Sequence, residues 1–369
     1  MVKGGTGAGG AERQFFLFGR GLAAKGWQVS FITHKSSHEF NGLNTAFPVY
    51  LADFSYLGGS KSQALMNWLS LLLAMRRANA NYYVIKVPGH LLPIMAVYCK
   101  AYKRRLVFWA QMTHDANPKE RTTGQFVGFL QDVGIRLVDT IVAQSIDQQY
   151  AFAKNYGREA HLVRSICDRI APEEAKECAP WVDVLWVGNC HAKKRPEVMF
   201  EIARLLPDVQ FAMAMNNSNR VRFEQFQKET EKIPNLRFLG QVPPIEMEQW
   251  FSHTRLFLNT SIREGFPNTF LQAWMNGVPV VSLGIDPDNL IKKNHLGLVV
   301  SPHEKVSSID NPHALAQCLI SPIKSLLSSE SKRSQMGAWA RKHVQDNHSP
   351  EIVVSQLIEV FGRVDGVKQ

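Results

Sequence analysis

At 369 residues the chain is long for one hydrophobic core, so two domains of ordinary size are expected. Its composition, 45% hydrophobic and 20% charged, is that of a globular protein, and with no run of about 18 apolar residues and no signal peptide a spanning or secreted chain is not expected. The net charge of +10 lies wholly in residues 1–165, with 19 Lys and Arg against 9 Asp and Glu, while residues 166–369 hold 23 of each; the first half therefore suits an anionic membrane surface or an acidic acceptor, and without a zinc finger, RNP motif or Arg-rich arm it does not point to nucleic acid.

In chain order, the first feature is a glycine cluster in which Gly5, Gly7 and Gly10 satisfy G-x-G-x-x-G. A nicotinamide site would need a strand just before it, and only Met1-Val2-Lys3 stands there, so an oxidoreductase is the weaker alternative. Helical spacing runs from Ala11 to Lys25, closed by Gly26, and strands are expected at 27–33, 47–51, 82–87, 105–112 and 139–144. Strands separated by helices imply a parallel, doubly wound sheet. Leu65 to Met75 and Leu91 to Tyr102 are apolar nearly all round and end in Arg76-Arg77 and Lys103-Arg104-Arg105. Packed crossover helices with basic C-terminal ends are the plain expectation, and a lipid-facing surface the sharper one. Thr113-His114-Asp115 follows a strand, at the end where such sheets place ligands.

Residues 167–182 mix prolines with charges and read as a linker. A second alternating series begins at Asp183 and continues through strands at 209–215 and 236–240 to the most informative stretch, Thr254 to Leu283. There, apolar runs at 256–258 and 278–283 flank a helix expected at 267–276, with Pro267 at its first position, Gly277 just past its end and Pro279 blocking continuation. Its N-terminus directs free N–H groups and a partial positive charge at whatever lies beyond the strand ends. A closing helix is expected at 350–363. The five cysteines (Cys99, Cys167, Cys178, Cys190, Cys318) stand singly, which points to reduced thiols in the cytoplasm and away from structural zinc.

Glu264-Gly265-Phe266-Pro267-Asn268, followed by Gln272-Ala273 and Gly277-Val278-Pro279-Val280, resembles the signature of glycosyltransferase family 4. The resemblance runs from about residue 9 to 363 and implies the GT-B fold, two facing Rossmann-like domains, with sugar transfer from a nucleotide-sugar donor and retention of configuration. It sets the domains at 1–170, joined by the closing helix within 350–369, and at 175–349. Gly9 and Gly10 resemble the family's Gly-Gly-Ala-Glu loop, before which members carry a strand, so the first strand is expected to be missing or shortened here.

By the same resemblance Glu264 meets the donor sugar, His114 contacts it from the first domain, and Gln272 stands where the family has a ribose-binding Glu. Gly265, Phe266, Pro267, Asn268 and Thr269 supply the helix N-terminus that faces the donor. Lys194 falls on the family's diphosphate-binding Lys, whereas Asn189 replaces its Arg, with Lys193 and Arg195 near enough in sequence to compensate. No metal and no cofactor are expected, since no Asp-x-Asp or His cluster offers ligands. The expected partners are a nucleotide-sugar and a glycan or lipid-linked acceptor of cell-surface polysaccharide synthesis, at the cytoplasmic face of a membrane. Asn189, Gln272 and the short start also suit a GT-B protein that binds sugar nucleotide without turnover.

Overall fold

The computed structural model describes residues 10–34, 47–53, 61–86, 89–120, 124–167, 180–301 and 311–364. The chain divides into two compact units, one of residues 1–166 with 350–369 and one of residues 167–349. The expectations on Gly5, Gly7, Gly9 and a shortened first strand lie outside the described residues.

In the first unit, α1 (Gly10–Ala24) leads to β1 (Phe31–His34) and β2 (Val49–Ala52), and α2 (Lys61–Ala78) leads to β3 (Tyr82–Ile85). There follow α3 (Leu91–Ala101), β4 (Arg105–Trp109), α4 (Gln125–Leu137), β5 (Thr140–Ala143), α5 (Ile146–Tyr156) and the short β6 (His161–Leu162). Each strand is shorter than its apolar run suggests. Among the described residues β1 and β2 pair in parallel as a sheet of their own, and β3, β4, β5 and β6 form a second parallel sheet in that order.

Helices cover both faces of the four-stranded sheet. On one face Leu71 and Met75 of α2, Leu92 and Cys99 of α3 and Ile135 of α4 pack on Leu106, Phe108 and Ile141. On the other, Leu17 and Phe18 of α1 meet Val107, Trp109 and Val142. Because successive strand residues point to opposite faces, Val107 and Trp109 serve one core while Leu106 and Phe108 serve the other.

The second unit is one six-stranded parallel sheet. It runs β7 (Val182–Asn189), α6 (Pro196–Leu205), β8 (Phe211–Asn216), α7 (Arg220–Thr230), β9 (Leu236–Gly240), α8 (Pro244–Ser252) and β10 (Thr254–Asn259). Then come α9 (Asn268–Met275), β11 (Val280–Leu283), α10 (Leu290–Lys293), β12 (Gly297–Val300), α11 (Pro312–Leu327) and α12 (Glu330–His348), after which α13 (Pro350–Val364) returns to the first unit. The order β12-β11-β10-β7-β8-β9 starts the chain at the centre, works outward on one side and then crosses to the other. The reversal falls between β7 and β10, and doubly wound sheets bind ligands in the crevice beyond such a switch point.

Candidate donor site

Two loops meet at that switch point, one after β7 and one after β10. The first is prepared by Gly188, near the end of β7, whose small size is required. A Cβ there would fall 2.6 to 3.2 Å from the Trp186 ring, which folds back beneath the loop. Past Asn189 the chain makes a 3-10 turn at Ala192–Lys194, with the His191 N–H donated to the Asn189 carbonyl (2.7 Å) and the Lys194 N–H to the His191 carbonyl (2.9 Å). Arg195 then takes a left-handed conformation (φ 48°, ψ 57°), sparsely populated for a residue with a side chain, and delivers Pro196 to the first turn of α6.

The second loop is held to the first around one hydroxyl. Thr260, fully buried, accepts from the Trp186 indole N–H (2.9 Å) and lies 2.6 Å from the Lys194 carbonyl and 3.0 Å from that of Arg195. The Lys193 carbonyl accepts from the Ile262 N–H (2.8 Å). The Arg195 guanidinium completes the junction from beneath, its Nε donating to the Thr260 carbonyl (2.7 Å) and its Nη2 to the Ser261 carbonyl (3.2 Å). Carbonyls at the end of a central strand are costly to bury unpaired, and a planar fork of donors meets two of them at once.

This corrects the expectation that Arg195 supplements the diphosphate contacts. Its side chain is 7% exposed and engaged by backbone, so it shapes the site without facing it. Lys194 is placed differently. Its ammonium pairs with the Glu264 carboxylate, the two side chains only 15% and 11% exposed. Lys193 is half-buried, and Asn189 is exposed at the mouth of β7. His191 donates no proton from Nδ1, which accepts from the Lys193 N–H (3.3 Å). Partial burial and the cations Lys193, Arg222 and Lys194 hold its imidazole below the usual range, and so neutral at pH 7.

Beyond Glu264 and Gly265 the chain anchors itself through Phe266, buried against Trp274 and His348. Pro267 occupies the capping position and the helix proper begins at Asn268, one residue later than its sequence suggests; no side chain caps it. The first N–H groups of Asn268 and Thr269, both half-buried, therefore stand at a positive helix end beside the Lys194–Glu264 pair. Gln272 is half-buried one turn further on. Gly277 closes the helix at φ 65°, where its N–H donates to the Trp274 carbonyl (2.9 Å) and that of Val278 to the Ala273 carbonyl (2.9 Å), as the glycine in that place predicts.

The structure thus brings Lys194, Glu264 and the start of α9 together, with Lys193, Asn189 and Gln272 on the same end of the sheet. His114 belongs to the other unit, on a 3-10 turn at Thr113–Asp115 after β4. It is partly exposed, its Nε2 3.9 Å from Asp115, and the buried Asp115 fixes the turn by accepting from the Gln111 and Met112 N–H groups (both 2.8 Å). Gly10 is the first residue of α1. Sequence reasoning missed Thr260 and Trp186. The signal available was the abrupt change from Leu256-Phe257-Leu258 to Asn259-Thr260-Ser261, which marks where a buried strand emerges at its ligand end.

Residues 182–324 match the family Glycosyl transferases group 1. HepE of Anabaena, solved with UDP and glucose, superposes with a TM-score of 0.75 at 15% identity, covering 97% of each chain. Sucrose-phosphate synthase of Thermosynechococcus elongatus gives 0.77 at 14% identity over 98% of this chain and 95% of that one. Among curated proteins, a phosphatidylinositol N-acetylglucosaminyltransferase component of Arabidopsis thaliana is 23% identical over 178 residues, and the match spans 40% of either chain. The chain has the GT-B fold of the glycosyltransferases, with the group 1 match falling on the unit that holds Lys194 and Glu264.

Proposed function

We propose that the protein is a retaining glycosyltransferase of family 4 that moves a sugar from a nucleotide-sugar to a glycan or lipid-linked acceptor in cell-surface polysaccharide synthesis. The observation that carries this reading is the pairing of Lys194 with Glu264 beside the uncapped start of α9. A cation and the N-terminal N–H groups of a helix stabilise negative charge as it develops on a leaving diphosphate, and the carboxylate beside them orients sugar hydroxyls. In the reaction the bond from the anomeric carbon to the diphosphate breaks, the acceptor oxygen takes that place, and the acceptor proton leaves with the nucleotide diphosphate or to solvent. Charge stabilisation by Lys194 and the helix end serves this step without a metal ion.

The structure of Anabaena HepE with UDP and glucose and that of the pneumococcal GtfA with UDP and GlcNAc favour a UDP-sugar as donor. The basic first half and the lipid in the name of the Arabidopsis relative favour a lipid-linked acceptor reached at an anionic membrane surface. His114 and Gly10 are further residues proposed to bind the donor.

The decisive experiment is thermal stabilisation by UDP-, GDP- and ADP-sugars, followed by assay of nucleotide release. Stabilisation and release with one donor class support the enzyme. Stabilisation without release, in the presence of lipid-extract acceptors, supports the second reading, a sugar-nucleotide binder without turnover, which the neutral Asn189 and Gln272 favour. Stabilisation by NADH alone would restore the oxidoreductase.

A further inference from the structure

The helical layer formed by α2, α3 and α4 is unusual in what it shows to solvent. On α2 the exposed residues among those with described side chains are Leu65, Met66, Leu69 and Leu73, then Arg76 and Arg77. At about 100° per residue these six fall in one arc opposite the buried Asn67, Leu71, Ala74 and Met75. A crossover helix of a water-soluble unit presents polar residues on that arc. The pattern recurs on α4, where Phe126 and Phe129 are 71% and 62% exposed and Arg136 follows. Between them α3 packs on both helices and turns Val97 outward, with Lys100 and Lys103 exposed beyond it.

Charge on this layer is almost all of one sign. Residues 61–78, 91–104 and 125–137 contain seven Lys or Arg and one carboxylate, Asp132, and Asp132 accepts from the Tyr156 hydroxyl (2.6 Å). The helix dipole accounts for cations at helix C-termini but not for leucines and phenylalanines in water. Arg104 and Arg105, the cations that the sequence brings forward first, are otherwise engaged, Arg104 with the side chains of Asn79 and Asn81 and Arg105 with Asp139.

We infer that this layer is a membrane-docking surface. Leu65, Met66, Leu69 and Leu73 of α2 and Phe126 and Phe129 of α4 enter the acyl boundary of an anionic bilayer, while Arg76, Arg77, Lys100 and Lys103 reach headgroup phosphates. Long cationic side chains snorkelling from the apolar face, with no carboxylate among them, match the chemistry of a fluid anionic interface, which demands no shape complementarity. This deepens the membrane-side acceptor reading and rests on it. Helices in a parallel α/β unit start at the ligand end of the sheet, and Phe126 lies in the first turn of α4, so this surface extends to the end of the unit where the His114 turn lies.

The test uses the full chain in sedimentation with vesicles of phosphatidylcholine alone and of phosphatidylcholine with phosphatidylglycerol, at low and high salt. The parent is expected on the anionic vesicles. Arg76→Gln with Arg77→Gln should weaken binding by roughly fivefold per charge at low salt and flatten the salt dependence. Leu69→Gln with Leu73→Gln, and Phe126→Ser with Phe129→Ser, should weaken it by about tenfold or more at either salt. Val221→Gln, equally exposed but in the second unit, should change nothing. All these residues are exposed, so the variants should keep the parent's thermal midpoint. Nucleotide release from a soluble donor without vesicles reads the enzymatic proposal separately. A parent that stays in the supernatant overturns the inference, as do apolar variants that bind like the parent. Concentration-dependent self-association of the parent that Leu69→Gln with Leu73→Gln abolishes would give the surface to a second copy of the chain and equally overturn it.

Discussion

Lys194 and Glu264, 70 residues apart in sequence, meet as an ion pair at the end of the central strands of the second unit. Each is mostly withdrawn from water, where an opposite charge in contact offsets much of the cost of burial. On the proposed reading, a diphosphate entering beside them offers Lys194 an anion and frees the Glu264 carboxylate for sugar hydroxyls.

Lys194→Ala should therefore weaken nucleotide diphosphate binding by about 1.5 to 3 kcal/mol, the value of one charge-assisted contact. Lys193, which holds the neighbouring loop through its backbone carbonyl, should lose much less on the same substitution. Calorimetric titration with UDP compares the two, and equal losses would contradict the assignment.

Glu264→Gln should slow transfer far more than it weakens free UDP, because the carboxylate is assigned to the sugar. The comparison is between UDP affinity and the rate of nucleotide release from the sugar donor. A parallel fall in both would move Glu264 from the sugar to the nucleotide.

Arg195→Ala should cost stability on the order of 2 to 4 kcal/mol, since the Thr260 and Ser261 carbonyls lose their donors inside the unit. Urea denaturation measures it. If Arg195→Ala instead left the denaturation midpoint in place and abolished only nucleotide binding, the guanidinium would belong to the donor after all.

Gly188→Ala tests the same junction from the other side. A methyl there meets the Trp186 ring, which is 2% exposed and has no room to swing, so a loss of about 1 to 3 kcal/mol is expected, with weaker UDP binding as the indole N–H leaves Thr260. Unchanged stability would mean that Trp186 is free to move.

Lys86 provides a pH-dependent prediction in the first unit. Its ammonium is buried over the rings of Trp109 (4.4 Å), Phe15 (4.8 Å) and Phe18 (5.5 Å), and burial lowers its pKa to about 7, with Glu12 of α1 the one opposing charge. Between pH 7 and its ordinary value the unfolded chain holds this proton and the folded one does not, so stability rises with pH across that window. Lys86→Met should stabilise by a few kcal/mol below pH 7, with the gain shrinking toward pH 10. Denaturation midpoints at pH 6 and pH 9 check the sign, and a gain larger at pH 9 would overturn it.

Which parts of this arrangement the sequence discloses follows from how local each one is. The helix α9, its proline start and its glycine end depend on residues a few positions apart, and all three are readable from 267 to 277. The role of Arg195 is not, because the carbonyls it serves lie 65 and 66 residues away, and a basic run on a loop looks the same whether its side chains face a ligand or the backbone. The outward leucines of α2 fall between these cases. Periodicity shows a helix apolar on every side, but only the packing of Leu71 and Met75 fixes which side is left over.

The course of the chain sets the order in which the molecule can be built. The second unit is inserted between Ile166 and Pro350, and its ends are tied, the Cys167 N–H donating to the His348 carbonyl (2.8 Å). One core of the first unit needs Val353, Val354, Leu357, Val360 and Phe361 of α13 to cover Val107, Trp109 and Val142. A ribosome delivers that helix after everything else described, so the inserted unit completes its core first, and the earlier-made sheet waits with one face covered only in part, by α1. The interval of greatest exposure during synthesis therefore belongs to the unit that was begun first.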